Sequence, residues 1–247
     1  MVKKIFWLSL FILVFTACQI TSTAVTPTSL PTPTPAPTES ALDVPAYPLA
    51  DGAYWIYQGQ VAYQQEGGVV EETIEWRVEV VESIEYPSVT GYLMRGSLDD
   101  LVFYAPGKEP SSYAIIQVGS NRYYRADLDA YKRLKTEDDF HIGLVTEHNL
   151  ILEIPLETGN RFCEAEQITR LDGGYCWVVG EPETVTFAFL PGQNIQAYPI
   201  SFSTNPDQTL IYFAPGIGIA AFRYHHSGSA SDVQMALIEY GLGNGSQ

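Results

Sequence analysis

The chain has 247 residues, 46% of them hydrophobic and 13% aromatic, enough apolar material for a packed core, which excludes wholesale disorder. Thirteen Lys and Arg stand against 29 Asp and Glu, and the formal charge of −16 repels phosphate backbones and argues against nucleic acid as a partner. The length allows one domain or two.

Lys3 and Lys4 precede an apolar run from Ile5 to Phe15, followed by the small residues Thr16 and Ala17. A membrane-crossing helix needs about 20 apolar residues, so the run reads as an export signal spanning residues 1–17. Phe15, Thr16, Ala17 and Cys18 resemble the lipobox of bacterial lipoproteins, although Phe15 stands where Leu is usual. The resemblance implies that Cys18 becomes the first mature residue and carries a thioether-linked diacylglycerol, with a further fatty acyl chain such as palmitate in many bacteria. That would hold the protein on the bacterial cell membrane, facing the extracytoplasmic side, with the membrane as a partner through the lipid alone. The alternative is an ordinary signal peptide in which Cys18 is incidental. Cleavage would remove Lys3 and Lys4 and leave the chain more acidic, so anionic headgroups would not attract it.

Residues 18–47 form an anchor and linker. Thr21 to Ser40 is almost wholly Thr, Pro, Ser and Ala, and such a tract follows an extended, solvated polyproline path of about 3.1 Å per residue, roughly 60 Å in all. From Pro48 to the end the pattern turns to period two. Val70, Ile74, Trp76, Val78, Val80 and Ile84 share one parity and Glu71, Thr73, Glu75, Arg77 and Glu79 the other, as a half-buried strand requires. Strands are also expected over 54–63, 88–95, 101–104, 113–118, 122–126, 150–156, 175–179, 184–190, 195–203, 209–213, 217–225 and 233–240, with turn chemistry at Gly67-Gly68, Gly119 to Asn121, Asp172 to Gly174, Pro191-Gly192 and Ser227 to Ser229. Only 127–138 reads as helical. The fold class is therefore all-β and mainly antiparallel, a curved sheet, half-barrel or sandwich, with two halves dividing near Gly143 as an option.

Cys163 and Cys176 remain once Cys18 is set aside, and in an exported chain they read as a disulfide; a metal pair or redox couple is the alternative. His225 and His226 are adjacent and point to opposite faces of a strand, so they do not share one ion without a bulge, and His141 and His148 lie far along the chain. Asp127, Asp129 and Asp138 only loosely match a calcium loop, because Tyr131 occupies a ligand position and the sharp-turn Gly is missing. Gly228-Ser229-Ala230 lacks the second Gly and the helix of a nucleophile elbow. Gly241 to Gly245 has no following helix to receive a pyrophosphate. No catalytic residue, metal site or cofactor is assigned. Sixteen tyrosines stand out, with Tyr54, Trp55, Tyr57 and Tyr63 early and Tyr123, Tyr124, Trp177 and Tyr198 later. They pack a sheet or line a groove for sugars, peptides or apolar ligands.

Two segments resemble parts of a group of uncharacterised bacterial β-rich lipoproteins. One is Tyr47-Pro48-Leu49 with Gly52, Trp55 and Tyr57, partly repeated by Ile154-Pro155-Leu156 with Gly159 and Phe162, which hints at internal duplication. The other is Phe213-Ala214-Pro215-Gly216-Ile217-Gly218-Ile219 before the last hairpin. By analogy the resemblance implies a twisted antiparallel sheet curled like the half-barrel of lipoprotein carriers, and it carries no activity. The functional expectation is a membrane-anchored, non-enzymatic binding module of the cell envelope with an unidentified envelope or extracellular ligand. The alternatives are a carrier or chaperone for a lipid or other hydrophobic ligand, and an envelope hydrolase using acidic residues.

Overall fold

Period-two alternation is realised as strand pairing along almost the whole body. The computed structural model describes residues 46–136, 145–168 and 174–243. The chain divides into units 1–41 and 42–247, and all described residues belong to the second. Cys18 and the Thr/Pro-rich tract therefore lie outside the described residues, as do Asp138, His141 and Gly143.

In chain order the strands are β1 (Tyr54–Gln65), β2 (Gly68–Tyr86), β3 (Val89–Arg95), β4 (Ser112–Val118), β5 (Arg122–Ala126), β6 (Leu150–Glu153), β7 (Arg161–Phe162), β8 (Trp177–Val179), β9 (Glu183–Val185), β10 (Ile195–Ser203), β11 (Asp207–Ala214), β12 (Gly218–His226) and β13 (Asp232–Gly241). They form one antiparallel sheet in the order β6-β5-β4-β3-β2-β1-β13-β12-β11-β10-β8-β7, with β9 added to β10. Its two ends, β6 and β7, approach each other, so the sheet curls into a nearly closed barrel. Inward side chains from nearly every strand, including Trp55, Trp76, Met94, Ile115, Ile200 and Phe213, fill one continuous core.

A second, smaller core lies outside the barrel. Helix α1 (Leu128–Thr136) packs Leu134 on Val89 and Ile116, and Tyr86 donates a hydrogen bond from its hydroxyl to the Leu134 carbonyl at 2.8 Å. This explains why the neighbours Ile115 and Ile116 are both buried: one faces the barrel interior and the other the helix. A β-bulge between Val80 and Glu82 reverses which parity of β2 faces inward. Ile84 therefore shares the face of Tyr86 rather than that of Trp76, against the sequence expectation.

Other expectations need correction at the connections. Of the residues 101–104 expected as strand, the first three belong to a 3-10 turn, Leu98–Phe103, and Tyr104 caps its end, because the Ser97 hydroxyl accepts the Asp99 amide and starts a turn that drives Leu98 and Leu101 into the core. The strand expected over 184–190 is only β9. Beyond it, Phe187 packs on Phe189 at 5.0 Å and Phe189 on Tyr240 at 5.8 Å. Strand β6 stops at Glu153 ahead of Pro155, which has no amide to donate. The segment 175–179 becomes strand only from Trp177, after Tyr175 adopts φ 63°. A short helix, α2 (Ala165–Ile168), follows Cys163.

The two Pro-Leu-x-x-Gly segments have the same backbone pattern. Gly52 (φ 78°) donates its amide to the Val80 carbonyl, and the Val80 amide donates to the Ala53 carbonyl. Gly159 (φ 85°) donates to Val179, and Val179 donates to Asn160. Each turn also closes over three residues, Ala53 onto Ala50 and Asn160 onto Glu157. Trp55 and Phe162 sit at corresponding places after the glycines. The strands on either side of residue 143 belong to the one sheet, as two meanders, β1 to β6 and β7 to β13.

Candidate functional site

The two turn motifs singled out in the sequence meet inside the barrel. Tyr47 lies just before β1, and its ring packs on Trp55 at 6.2 Å, Tyr123 at 5.5 Å and Phe213 at 5.3 Å. The Gly216 amide donates to the Ala46 carbonyl at 2.8 Å. The indole of Trp55 donates to the Ile217 carbonyl at 2.5 Å, and the Tyr57 hydroxyl donates to the Ile219 carbonyl at 2.9 Å. Gly218 permits this approach, since a Cβ there would come within 3.1 Å of the Trp55 indole nitrogen. The turn between β11 and β12 is thus held to the opening strand by its backbone carbonyls.

Against this interlock lies a cavity of about 90 Å³, whose aromatic lining is Tyr47, Trp55, Tyr57, Tyr113, Trp177, Phe213 and Phe222, with aliphatic side chains such as Ile115 and Ile211 between them. At its rim stand Ser97, Asp99 and Arg125. Arg125 pairs with Asp99, donates to the Ser97 hydroxyl at 3.0 Å and lies over the Tyr113 ring at 4.8 Å. The rim cation is therefore already neutralised and fixed in place.

Burial pushes the phenols of Tyr47, Tyr57 and Tyr113 well above the ordinary range, with mutual proximity adding to the effect at Tyr47 and Tyr57. They are neutral donors at any physiological pH. Tyr57 has its acceptor in Ile219, whereas the Tyr47 and Tyr113 hydroxyls have no hydrogen-bond partner among the described residues. Neither hydroxyl is among the fully buried polar atoms that lack a partner, so both are open at the cavity and can donate to an acceptor brought in from outside.

The residues weighed in the sequence fall elsewhere. Among the described residues no group of three or more His, Cys, Asp or Glu is placed to hold a metal ion. His225 pairs with Asp232, and His226 donates from Nδ1 to the Asp207 carboxylate at 2.7 Å. The Tyr224 hydroxyl donates to the same Asp207 carboxylate at 2.6 Å and, with His226, holds it below the usual carboxylate range. His148 stands 3.9 Å from Glu164. Asp127 caps α1 by accepting the Ala130 amide at 2.8 Å, and Asp129 pairs with Lys132 at 3.2 Å. Ser229 is bridged to Ser227 in a turn. Gly241 and Gly243 pack tightly against Tyr54 and the backbone at Asp51 and Ala53, a structural use of a glycine-rich end.

Cys163 and Cys176 form a disulfide. They continue the register of β7 and β8, in which Arg161 faces Val178 and Phe162 faces Trp177, with a Cα separation of 4.9 Å. The sequence reading placed a plain hairpin turn here; α2 intervenes instead, and Asp172 and Gly173 lie outside the described residues.

Of the aromatic residues singled out in the sequence, Trp55, Tyr57 and Trp177 line the cavity. Tyr54 instead donates to Glu239, Tyr63 to Glu72 and Tyr124 to Glu147. Sequence reasoning missed Tyr113, Asp99 and Arg125. The available signal was Arg125 itself, a scarce cation within the apolar stretch Tyr123-Tyr124-Arg125-Ala126.

No family model matches the chain, and no curated protein matches it. Two solved structures are similar. One, described as an exported protein with a YmcC-like fold from Bacteroides fragilis, has a TM-score of 0.37 and 13% identity over 79% of this chain and 98% of that one. The other, described as a lipoprotein from Parabacteroides distasonis, has a TM-score of 0.38 and 8% identity over 79% of this chain and 97% of that one.

Proposed function

We propose that this chain is a lipid-tethered protein of the bacterial envelope whose β body binds a small, largely apolar molecule bearing a hydrogen-bond acceptor. The observation that carries the reading is the aromatic cavity with two unpaired phenol donors, Tyr47 and Tyr113. The tether is supported by the lipobox-like Phe15 to Cys18 and the Thr/Pro-rich tract, and the Cys163–Cys176 disulfide suits an oxidising compartment. Cys18→Ser is expected to release the protein from membranes.

Size narrows the ligand. A cavity of roughly 150 Å³ accepts benzene, so about 90 Å³ suits a group of on the order of three or four carbons. Drug-sized ligands occupy several hundred Å³, and a whole lipid exceeds the cavity as it stands. The hydrolase alternative finds one carboxylate in the lining, Asp99, and that carboxylate is held by Arg125.

The test compares butanone with butane on the full chain in lipid nanodiscs, with empty nanodiscs as reference. Each neutral hydrogen bond contributes about 1 kcal/mol, so the ketone should bind about fivefold to tenfold more tightly than the hydrocarbon, and the double variant Tyr47→Phe, Tyr113→Phe should abolish the difference. No binding of either compound, or a ketone preference that survives the double variant, overturns the reading.

A further inference from the structure

A second hollow adjoins the interior cavity and shares a wall with it. An outer groove of about 620 Å³ is bordered by Ser111, Ser112, Asp127, Asp129, Lys132 and Asn149, and Tyr113 and Arg125 line both the groove and the cavity. One compartment is aromatic and closely walled, and the other is open and polar. The same two side chains separate them.

The groove's charges are unequally compensated. Lys132 pairs with Asp129 at 3.2 Å, and Arg125 is taken up by Asp99 and the Tyr113 ring. The Asp127 carboxylate accepts the Ala130 amide and has no cation partner among the described residues. An anion approaching this groove meets no free cation there and a chain of formal charge −16 around it, whereas a cation meets an uncompensated carboxylate.

We propose that the cavity and the groove are two compartments of one site for a cationic amphiphile, with a short apolar end among Trp55, Ile115 and Phe213 and an ammonium head beside Asp127. The proposal rests on the interior-site reading above and adds the chemistry of the ligand's outer end. Tyr113, which lines both hollows, then determines specificity at the boundary, where its hydroxyl donates to an acceptor oxygen carried between the tail and the ammonium head.

Three probes share a butanoyl ester, whose carbonyl can accept from Tyr113, and differ in the head; each is measured on the full chain in nanodiscs: butanoylcholine, 2-hydroxyethyl butanoate and 2-(butanoyloxy)ethanesulfonate. The expected order of affinity is ammonium, then alcohol, then sulfonate, with about a tenfold gap between the first and last, as screened charges at short range imply. Asp127→Asn keeps a good helix cap and should narrow that gap at least threefold while leaving binding of the neutral hydroxyethyl ester unchanged. Should that variant fold poorly, Asp129→Asn frees Lys132 and lowers ammonium binding by the same route. If the sulfonate binds as tightly as the ammonium compound, or the gap survives in the folded variants, the cationic-head inference is overturned while binding of the hydroxyethyl ester keeps the interior site. If none of the three binds the wild-type chain, both fall.

Discussion

At the start of β1, Gly52 and Ala53 exchange hydrogen bonds with Val80, and at the start of β7, Gly159 and Asn160 do the same with Val179. From these matching turns the chain goes on to different ends. β1 runs for 12 residues, paired with β2 on one side and β13 on the other, and its Trp55 reaches across to the Ile217 carbonyl. β7 runs for two residues, pairs only with β8, and is then covalently fixed by Cys163–Cys176. A turn directs the chain and starts a ladder; the length of the alternating segment after it decides how much hydrogen bonding follows. Where the ladder is short, at the open junction between β6 and β7, a disulfide holds the edge.

The largest expected effect separates the two aromatic residues. Trp55 is 2% exposed, sits between two paired strands and donates a buried hydrogen bond, so Trp55→Ala should cost about 4 kcal/mol in urea unfolding. Phe162→Ala should cost less, toward about 3 kcal/mol, because a two-residue edge strand can relax around the gap. Equal costs would contradict the distinction drawn between the junctions. Next, breaking the disulfide by Cys163→Ser with Cys176→Ser opens a loop with a sequence separation of 13. The chain-entropy model gives about 3 kcal/mol, and a reducing agent should have the same effect on the wild type and none on the variant.

The smallest effect tests the likeness of the turns. No atom lies within 4 Å of a Cβ built on Gly52 or Gly159, so an alanine at either place pays only for its left-handed backbone, about 1–2 kcal/mol. The two costs should agree within measurement error, and a clear inequality would mean that the turns are alike only in their hydrogen bonds.

Alkaline titration reports on the tyrosines that line and surround the cavity. Burial raises the phenols of Tyr47, Tyr57 and Tyr113, and lifts Tyr92 to about 12. Unfolded phenols lose their protons near about pH 10. The folded state therefore keeps protons that the unfolded state releases, and this stability is present in full below that value and lost as pH rises toward the folded values. The phenolate absorbance contributed by these buried tyrosines, read as the loss of signal change in their Phe variants, should appear together with loss of β structure, not ahead of it.

The sequence showed most of what depends on neighbours along the chain. Alternation over 70–80 marked the buried face of β2, and the spacing of Cys163 and Cys176 suited their pairing. The bulge after Val80 was hidden, because one extra residue reverses the inward parity without changing the composition. The 3-10 turn at Leu98–Phe103 was hidden because Leu101 to Tyr104 is as apolar as a strand, and only the Ser97 cap marks it as a turn. The cavity was the least legible part. Its wall comes from Tyr47, β1, β2, the 3-10 turn, β4, β5, β6, β8, β11 and β12, and only closure of the sheet brings these distant segments together.

Diffraction from crystals of the protein under xenon pressure tests the cavity most directly, since xenon enters apolar cavities too small for larger probes. The account predicts a xenon atom between Trp55, Ile115 and Phe213, lost when Ile211→Phe fills the wall. Side chains collapsed into that volume, with no xenon among them in the wild type, would contradict it.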